Sequence, residues 1–216
     1  MNDEIKLINH SSILIKNNDI KLLTDPWYKG SAFNNGWSLL YENSFDEISQ
    51  ILTDLNYIFI SHEHPDHFSV KFFKDYEKII KLNKIKIIFQ KSRDKRVEKF
   101  LKKMDFEMII LEDKEIHKIN DRTFISIFKQ GHIDSALVFE TEEYIHLNIN
   151  DCNFLNKELL EIKNHISKKN KKIIIYIQFS YASFRANDEW LKKAALYKLN
   201  NIVNVSKIFN SSLVIP

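Results

Sequence analysis

The chain has 216 residues, 44% hydrophobic and 28% charged, a composition that fits one globular domain with a sizeable core. A net charge of only +3, with lysines spread along the chain, argues against a dedicated nucleic-acid binder, which shows a concentrated basic face. A single cysteine, Cys152, excludes an internal disulfide and any cysteine-based zinc cluster.

In chain order, the first 25 residues read as short apolar strands over Glu4–Ile8, Ile13–Lys16 and Ile20–Leu23, with Asn17-Asn18-Asp19 as a hairpin turn. Asp25 to Asn43 lacks a regular pattern and holds Gly30, Gly36, Trp27 and Trp37. Tyr57–Ile60 is a short buried strand that leads straight into a histidine-rich segment. Ser69 is placed to cap a helix, because Phe72, Phe73, Tyr76, Ile79 and Ile80 recur at helical spacing. Strand and helix then alternate: strand Ile85–Phe89, helix Asp94–Lys103, strand Glu107–Leu111. From Glu115 to Leu147 the pattern is β again, with Thr123–Lys129, Ser135–Phe139 and Tyr144–Asn148 as strands. Phe154–Lys168 reads as an amphipathic helix, Ile173–Phe179 as a buried strand and Asn187–Phe209 as a long helix. Ser212–Pro216 looks like the start of one more strand. Strand-rich blocks with helices between them imply two sheets in a layered α/β arrangement.

The chemistry is concentrated in Ile60-Ser-His62-Glu-His64-Pro65-Asp66-His67. Residues two apart in an extended chain point the same way, so His62 and His64 can face one point. Pro65 biases His64 away from the α region and favours that geometry. Asp66 and His67 follow after a turn and can serve a neighbouring ion. A lone histidine after a strand is usually a polar surface residue. Four ligand-type side chains within six residues are better explained as ligands for zinc, manganese or iron.

The pattern His62-x-His64-x-Asp66-His67, directly after a strand, resembles the signature of the metallo-β-lactamase superfamily. His132, in Gln130-Gly-His132-Ile-Asp-Ser, resembles that family's third ligand to the first metal. Asp151, after Tyr144–Asn148, resembles the carboxylate that bridges the two ions. Upstream, His10-Ser-Ser-Ile-Leu-Ile and Leu23-Thr-Asp25-Pro26-Trp27 resemble a narrower branch. It includes ascorbate-phosphate lactonase, N-acyl-phosphatidylethanolamine phospholipase D and the β-lactamase-like part of CMP-N-acetylneuraminate hydroxylase. Gly30-Ser-Ala-Phe-Asn-Asn-Gly-Trp-Ser-Leu39 is most similar to the hydroxylase-like members, which often occur with surface-sugar (carbohydrate) biosynthesis. The specific motifs span roughly residues 8 to 151.

The resemblance implies a single domain over 1–216, an α/β (α+β) fold built as a four-layer αββα sandwich, with a one- or two-metal centre at the strand ends. The family usually adds a last histidine just after a terminal strand that often ends in Ile-Pro. Here the sequence stops at Val214-Ile215-Pro216, so the domain is expected either to be cut short there or to lack that ligand. Rieske-type hydroxylation is excluded for this chain alone, since such a centre needs two Cys and two His.

These readings lead to a metal-dependent hydrolase. A first zinc on His62, His64 and His132 and a second ion on Asp66, His67 and Asp151 would provide metal-bound hydroxide for attack on a phosphoester, ester or lactone. Manganese or iron fits the same donors, and Asp66 would also orient the nucleophile. The expected partner is a small anionic molecule, a class that includes sugar- and nucleotide-linked substrates. Two alternatives use the same ligand set: a diiron, oxygen-dependent redox enzyme, and a non-catalytic metal-binding module.

His10 and Asp25 are candidates for the substrate pocket. Asp25 reads equally as the orienting partner of a ligating histidine or as an Asp-Pro turn residue. Trp27, Phe33 and Trp37 suit a pocket wall or core packing, and Asn34 and Asn35 suit substrate hydroxyls or a plain turn. Cys152 is expected to be a buried small hydrophobe, and His117, His146 and His165 have no partner pattern. The acidic N-terminus lacks a secretory signal, and no stretch approaches the roughly 20 apolar residues that span a bilayer, so a cytoplasmic protein is expected.

Overall fold

A computed structural model describes residues 3–18, 20–166, 170–180 and 186–216. The chain divides into two compact units, residues 1–113 and 114–216, each built on a six-stranded sheet.

The first unit opens with β1 (Glu4–Asn9), β2 (Ser12–Asn17) and β3 (Ile20–Thr24), followed by the two-residue strands β4 (Ser31–Ala32) and β5 (Trp37–Ser38). Then come α1 (Phe45–Thr53), β6 (Tyr57–Ile60), α2 (Val70–Asp75), α3 (Glu77–Leu82), β7 (Lys86–Gln90), α4 (Arg96–Lys103) and β8 (Met108–Leu111). The sheet order is β1-β2-β3-β6-β7-β8. β1, β2 and β3 pair antiparallel, and β3, β6, β7 and β8 run parallel. Ile58 and Ile60 of β6 join Ile87 and Phe89 of β7 in one cluster with Ile48 and Leu52 of α1, Phe73 of α2 and Leu101 of α4. On the opposite face Phe59 and Ile88 are also fully buried. Burial on both faces accounts for the unbroken apolar run Tyr57–Ile60, as expected for parallel strands.

Three local features differ from the sequence reading. The helix α1 was not anticipated. It starts at Ser44, whose hydroxyl accepts the Glu47 backbone N–H (3.2 Å), and it buries Ile48 and Leu52. The single helix expected after Ser69 is two. Ser69 caps α2 as expected, accepting from Phe72 N–H at 3.2 Å. The chain leaves helical geometry at Tyr76 (φ −108°, ψ 12°), whose ring stacks on Phe45 at 4.9 Å. The segment expected to be patternless holds the β4–β5 hairpin, whose tip places Phe33, Asn34 and Asn35 consecutively in the left-handed region. Of the expected turn at Asn17–Asp19, Asn18 is left-handed (φ 49°), and Asp19 lies outside the described residues.

The second unit comprises β9 (Ile116–Lys118), β10 (Phe124–Gln130), β11 (Asp134–Glu140), β12 (Tyr144–Asn150), α5 (Asn156–Ile166), β13 (Lys172–Ile177), α6 (Asp188–Phe209) and β14 (Leu213–Ile215). Its order is β14-β13-β12-β11-β10-β9. β9 to β12 pair antiparallel, and β12, β13 and β14 run parallel. Ile145, Leu147 and Ile149 share one face of β12 and cluster with Leu159 and Ile162 of α5 and Val205 and Phe209 of α6. The alternate residues His146, Asn148 and Asn150 are buried and polar, and His146 Nδ1 lies 2.8 Å from the Tyr176 hydroxyl. Cys152 is buried in the apolar cluster. α5 is described to Ile166, and the rest of the expected helix, to Lys168, lies outside the described residues. No helix among the described residues is long and apolar enough to cross a membrane.

Candidate metal centre

Strand direction decides where the polar residues collect. β3 and β6 run parallel, so Asp25, just after β3, and Ser61, just after β6, emerge at the same end of the sheet. β2 runs antiparallel to β3, so the β1–β2 turn at His10 and Ser11 lies at that end too. His10 (φ 45°) and Asp25 (φ 39°) both have left-handed backbone at these strand ends.

Asp25 holds the start of the histidine segment. Its Oδ1 accepts the Ser61 backbone N–H at 2.7 Å, and its own N–H donates to the Phe59 carbonyl at 2.9 Å. The Gln90 amide, at the end of β7, donates to the Ser61 carbonyl at 3.1 Å. Beyond Ser61 the chain turns tightly, with His67 and Phe68 N–H both donating to the His64 carbonyl (3.0 and 2.7 Å). That turn gathers the side chains. His62 Nε2 lies 2.8 Å from His64 Nδ1, and His62 Nδ1 lies 2.9 Å from Ser61 Oγ. At that distance one imidazole donates to the other, which shows the two rings converging on one point.

His67 is buried with both ring nitrogens engaged. Its Nδ1 is 3.3 Å from Asp25 Oδ2 and 3.3 Å from Ser11 Oγ, and its Nε2 is 3.3 Å from Asp66 Oδ2. A carboxylate on one ring nitrogen fixes the tautomer and aims the other, an arrangement common around metal-ligating histidines. Asp66 Oδ2 also lies 3.1 Å from His10 Nε2. Burial raises the pKa of Asp66, but the hydrogen bonds from the His10 and His67 rings outweigh it and hold the carboxyl well below the usual carboxylate range. Asp66 Oδ1 is buried and has no hydrogen-bond partner. A buried carboxylate oxygen without a partner is costly, and a cation would satisfy it. Ligand atoms of His10, Asp66 and His67 lie within 4.8 Å of one another. Imidazole and carboxylate donors without sulfur fit zinc, manganese or iron.

Aromatic rings flank this cluster. His10 meets Trp27 edge-on at 5.2 Å and Trp37 at 6.1 Å, and Phe33 packs against Trp37 (5.4 Å) and His64 (5.8 Å). Trp27 is buried, whereas Phe33, Asn34 and Asn35 are exposed on the hairpin tip. Thus His10, Asp25, His62, His64, Asp66 and His67 form one hydrogen-bonded group with Trp27 and Trp37 beside it, while Asn34 and Asn35 form the turn. Ser11 and Ser61, which touch His67 and His62, carry no motif that would single them out in the sequence.

His132 and Asp151 belong to the second unit. β10 and β12 each pair antiparallel with β11, so their C-terminal ends share one end of that sheet. His132 is exposed in the turn after β10, beside Gly131 (φ 64°), and Asp151 is half-buried directly after β12. Gln130 and Asn153 tie these two ends together, with the Gln130 amide donating to the Asn153 carbonyl (3.2 Å) and accepting from Asn153 N–H (3.4 Å). Elsewhere in this unit the His165 ring packs edge-on to Phe128 at 5.0 Å.

Comparison with known proteins adds three findings. A family model described as "Beta-lactamase superfamily domain" matches residues 4–156. Cytidine monophosphate-N-acetylneuraminic acid hydroxylase from Asterias rubens is 41% identical over 64 residues, 30% of this chain and 10% of the relative; the Danio rerio protein is 36% identical over 62 residues, 29% and 10%. The matched stretch is therefore a small part of those longer relatives. CmlA, a diiron beta-hydroxylase from Streptomyces venezuelae, is similar in structure with a TM-score of 0.67 at 11% identity, covering 98% of this chain and 44% of that one. A possible metal-dependent hydrolase from Veillonella parvula DSM 2008 gives 0.61 at 11% identity, covering 99% and 95%. Likenesses at this identity speak to the fold alone. With the histidine segment placed at the strand ends and the family model spanning most of both sheets, the chain belongs to the β-lactamase superfamily and has the metallo-β-lactamase fold.

Proposed function

We propose that this protein is a metal-dependent hydrolase acting on a phosphoester, ester or lactone of a small anionic substrate. The observation that carries this reading is the buried, unpartnered Oδ1 of Asp66 within a cluster of imidazoles whose orientations are already fixed. In this proposal His62, His64 and His132 hold one ion, and Asp66, His67 and Asp151 hold a second. Zinc is the first choice, with manganese or iron suited to the same donors. A bound divalent ion would supply Lewis acidity, making water nucleophilic near neutral pH and neutralising charge on the reacting oxygens.

The chain's own groups do the rest. With an ion bound, Asp25 would keep the proton of His67 on Nδ1, and Nε2, which otherwise faces Asp66 Oδ2, would be free to act as a ligand. His10 holds Asp66 Oδ2, which leaves Oδ1 as the open donor. Trp27 and Trp37 pack edge-on against His10 and hold its ring in place beside the carboxylate. The substrate class draws support from the relatives that align over about 64 residues, whose named substrate is a nucleotide-linked acidic sugar. The test is metal content per chain on protein purified without added metal, repeated on His64→Ala, with turnover across a panel of phosphodiesters, esters and lactones. Stoichiometric zinc or manganese with chelator-sensitive hydrolysis is expected. Protein that holds metal yet turns over no member of the panel would contradict the hydrolase reading.

A second reading, a diiron oxygen-dependent redox enzyme on the same ligands, draws support from the likeness to a diiron hydroxylase over 98% of the chain. It requires iron in the purified protein and an absorption band that changes on reduction. A colourless zinc protein removes it.

A further inference from the structure

Lys198 of α6 is half-buried and reaches the end of the second unit's sheet where Asp151 and His132 emerge. β13 runs parallel to β12, so Gln178, just after β13, lies at the same end. The Lys198 ammonium donates to Gln178 Oε1 at 2.6 Å and to Asn153 Oδ1 at 3.3 Å. Among the described residues no carboxylate lies within 4.0 Å of it. Burial pulls its pKa down, and the charge of Asp151, acting from further away, offsets part of that. An ammonium carries three donors, so two neutral amide oxygens leave one N–H without a protein acceptor among the described residues, and the charge has no direct ion pair there, only the more distant Asp151. A half-buried cation held by neutral amides, with one N–H still open, offers a place that an anion can complete.

We propose that Lys198 is the cationic anchor of a subsite that takes an oxyanion, phosphate or carboxylate, of the substrate. Gln178 and Asn153 set the direction of the ammonium, and Gln130 braces Asn153 from the neighbouring strand end. The subsite rests on the hydrolase reading for its place in catalysis and deepens it by naming the group that is recognised. If Asp151 is committed to an ion, its charge is less available to Lys198 and the demand for an external oxyanion grows.

The experiment is calorimetric titration of the metal-loaded protein with inorganic phosphate, and in a second arm with acetate. Wild type is compared with Lys198→Gln, which keeps a donor but removes the charge, and with Lys198→Arg, which keeps the charge. Metal content and melting temperature are recorded for each. Lys198→Gln is expected to weaken binding of at least one anion by about tenfold or more, the scale of one charge-assisted hydrogen bond. Lys198→Arg is expected to retain most of the affinity, and the exposed Lys192→Gln to retain all of it. The arm that responds more strongly identifies the oxyanion. Equal anion affinity in wild type and Lys198→Gln, at unchanged metal content, overturns the subsite and leaves the hydrolase reading standing. Protein that takes up no metal but still binds phosphate through Lys198 does the reverse. Should Lys198→Gln melt too early to titrate, Gln178→Leu removes the ammonium's nearest guide and is expected to weaken the same arm.

Discussion

The two sheet ends that carry candidate site residues are built differently. In the first unit Asp25, His62, Asp66 and His67 are buried and interlocked, with His10 and His64 exposed at the edge of the cluster. Asp25, His67 and Asp66 form a chain of contacts of 3.3 Å, and His62 is engaged at both ring nitrogens. In the second unit the candidate residues sit on turns. His132 is exposed, Asp151 is half-buried, and the amides of Gln130, Asn153 and Gln178 form the local scaffold. The first end is preorganised, so that a ligand meets side chains whose tautomers and directions are already set. The second presents its candidates on turns that are more open to solvent.

That contrast can be broken by substitution, and the first unit should be the more sensitive. Asp66→Asn keeps the shape of the side chain and removes its charge. It is expected to lower metal affinity by more than the ~100-fold that changes behind a ligand can reach, read by competition with a chelator. Wild-type affinity in Asp66→Asn would move the anchor away from this cluster. Asp25→Asn should cost about 10- to 100-fold in the same measurement, because His67 loses the partner that fixes its tautomer. Lys198→Gln in the second unit should leave metal affinity unchanged and alter anion binding alone. The smallest effect is expected from Ser44→Ala, which removes the cap of α1 far along the chain from the motif. It should lower stability by about 1 kcal/mol in a denaturant titration with metal content intact. A loss of metal in Ser44→Ala would mean that the cluster is less self-contained than its contacts indicate.

Much of this was readable from sequence, for reasons particular to each element. The run Tyr57–Ile60 and the ligand-rich segment behind it carry their information locally, since strand burial and donor type are visible residue by residue. Helix α1 is equally local in its signals. Ser44 and Glu47 stand at capping-box spacing, and Phe45, Ile48 and Leu52 repeat at helical intervals. The break at Tyr76 was not readable, because it coincides with the stacking of that ring on Phe45, a contact made 31 positions away. Ser11, Ser61 and Lys198 stayed hidden for the same reason. A serine or lysine has no distinguishing pattern until the sheet brings it beside a histidine or an amide.

The left-handed backbone at His10 has a consequence for engineering. For an L-residue that conformation costs about 1–2 kcal/mol, a cost that glycine would not incur. His10→Gly relieves that backbone cost but also loses the ring that hydrogen-bonds Asp66, an interaction of about 1.5–3 kcal/mol. The histidine thus holds a strained backbone in exchange for a steadied carboxylate. Backbone ease and a well-held ligand group are therefore opposed at that one residue.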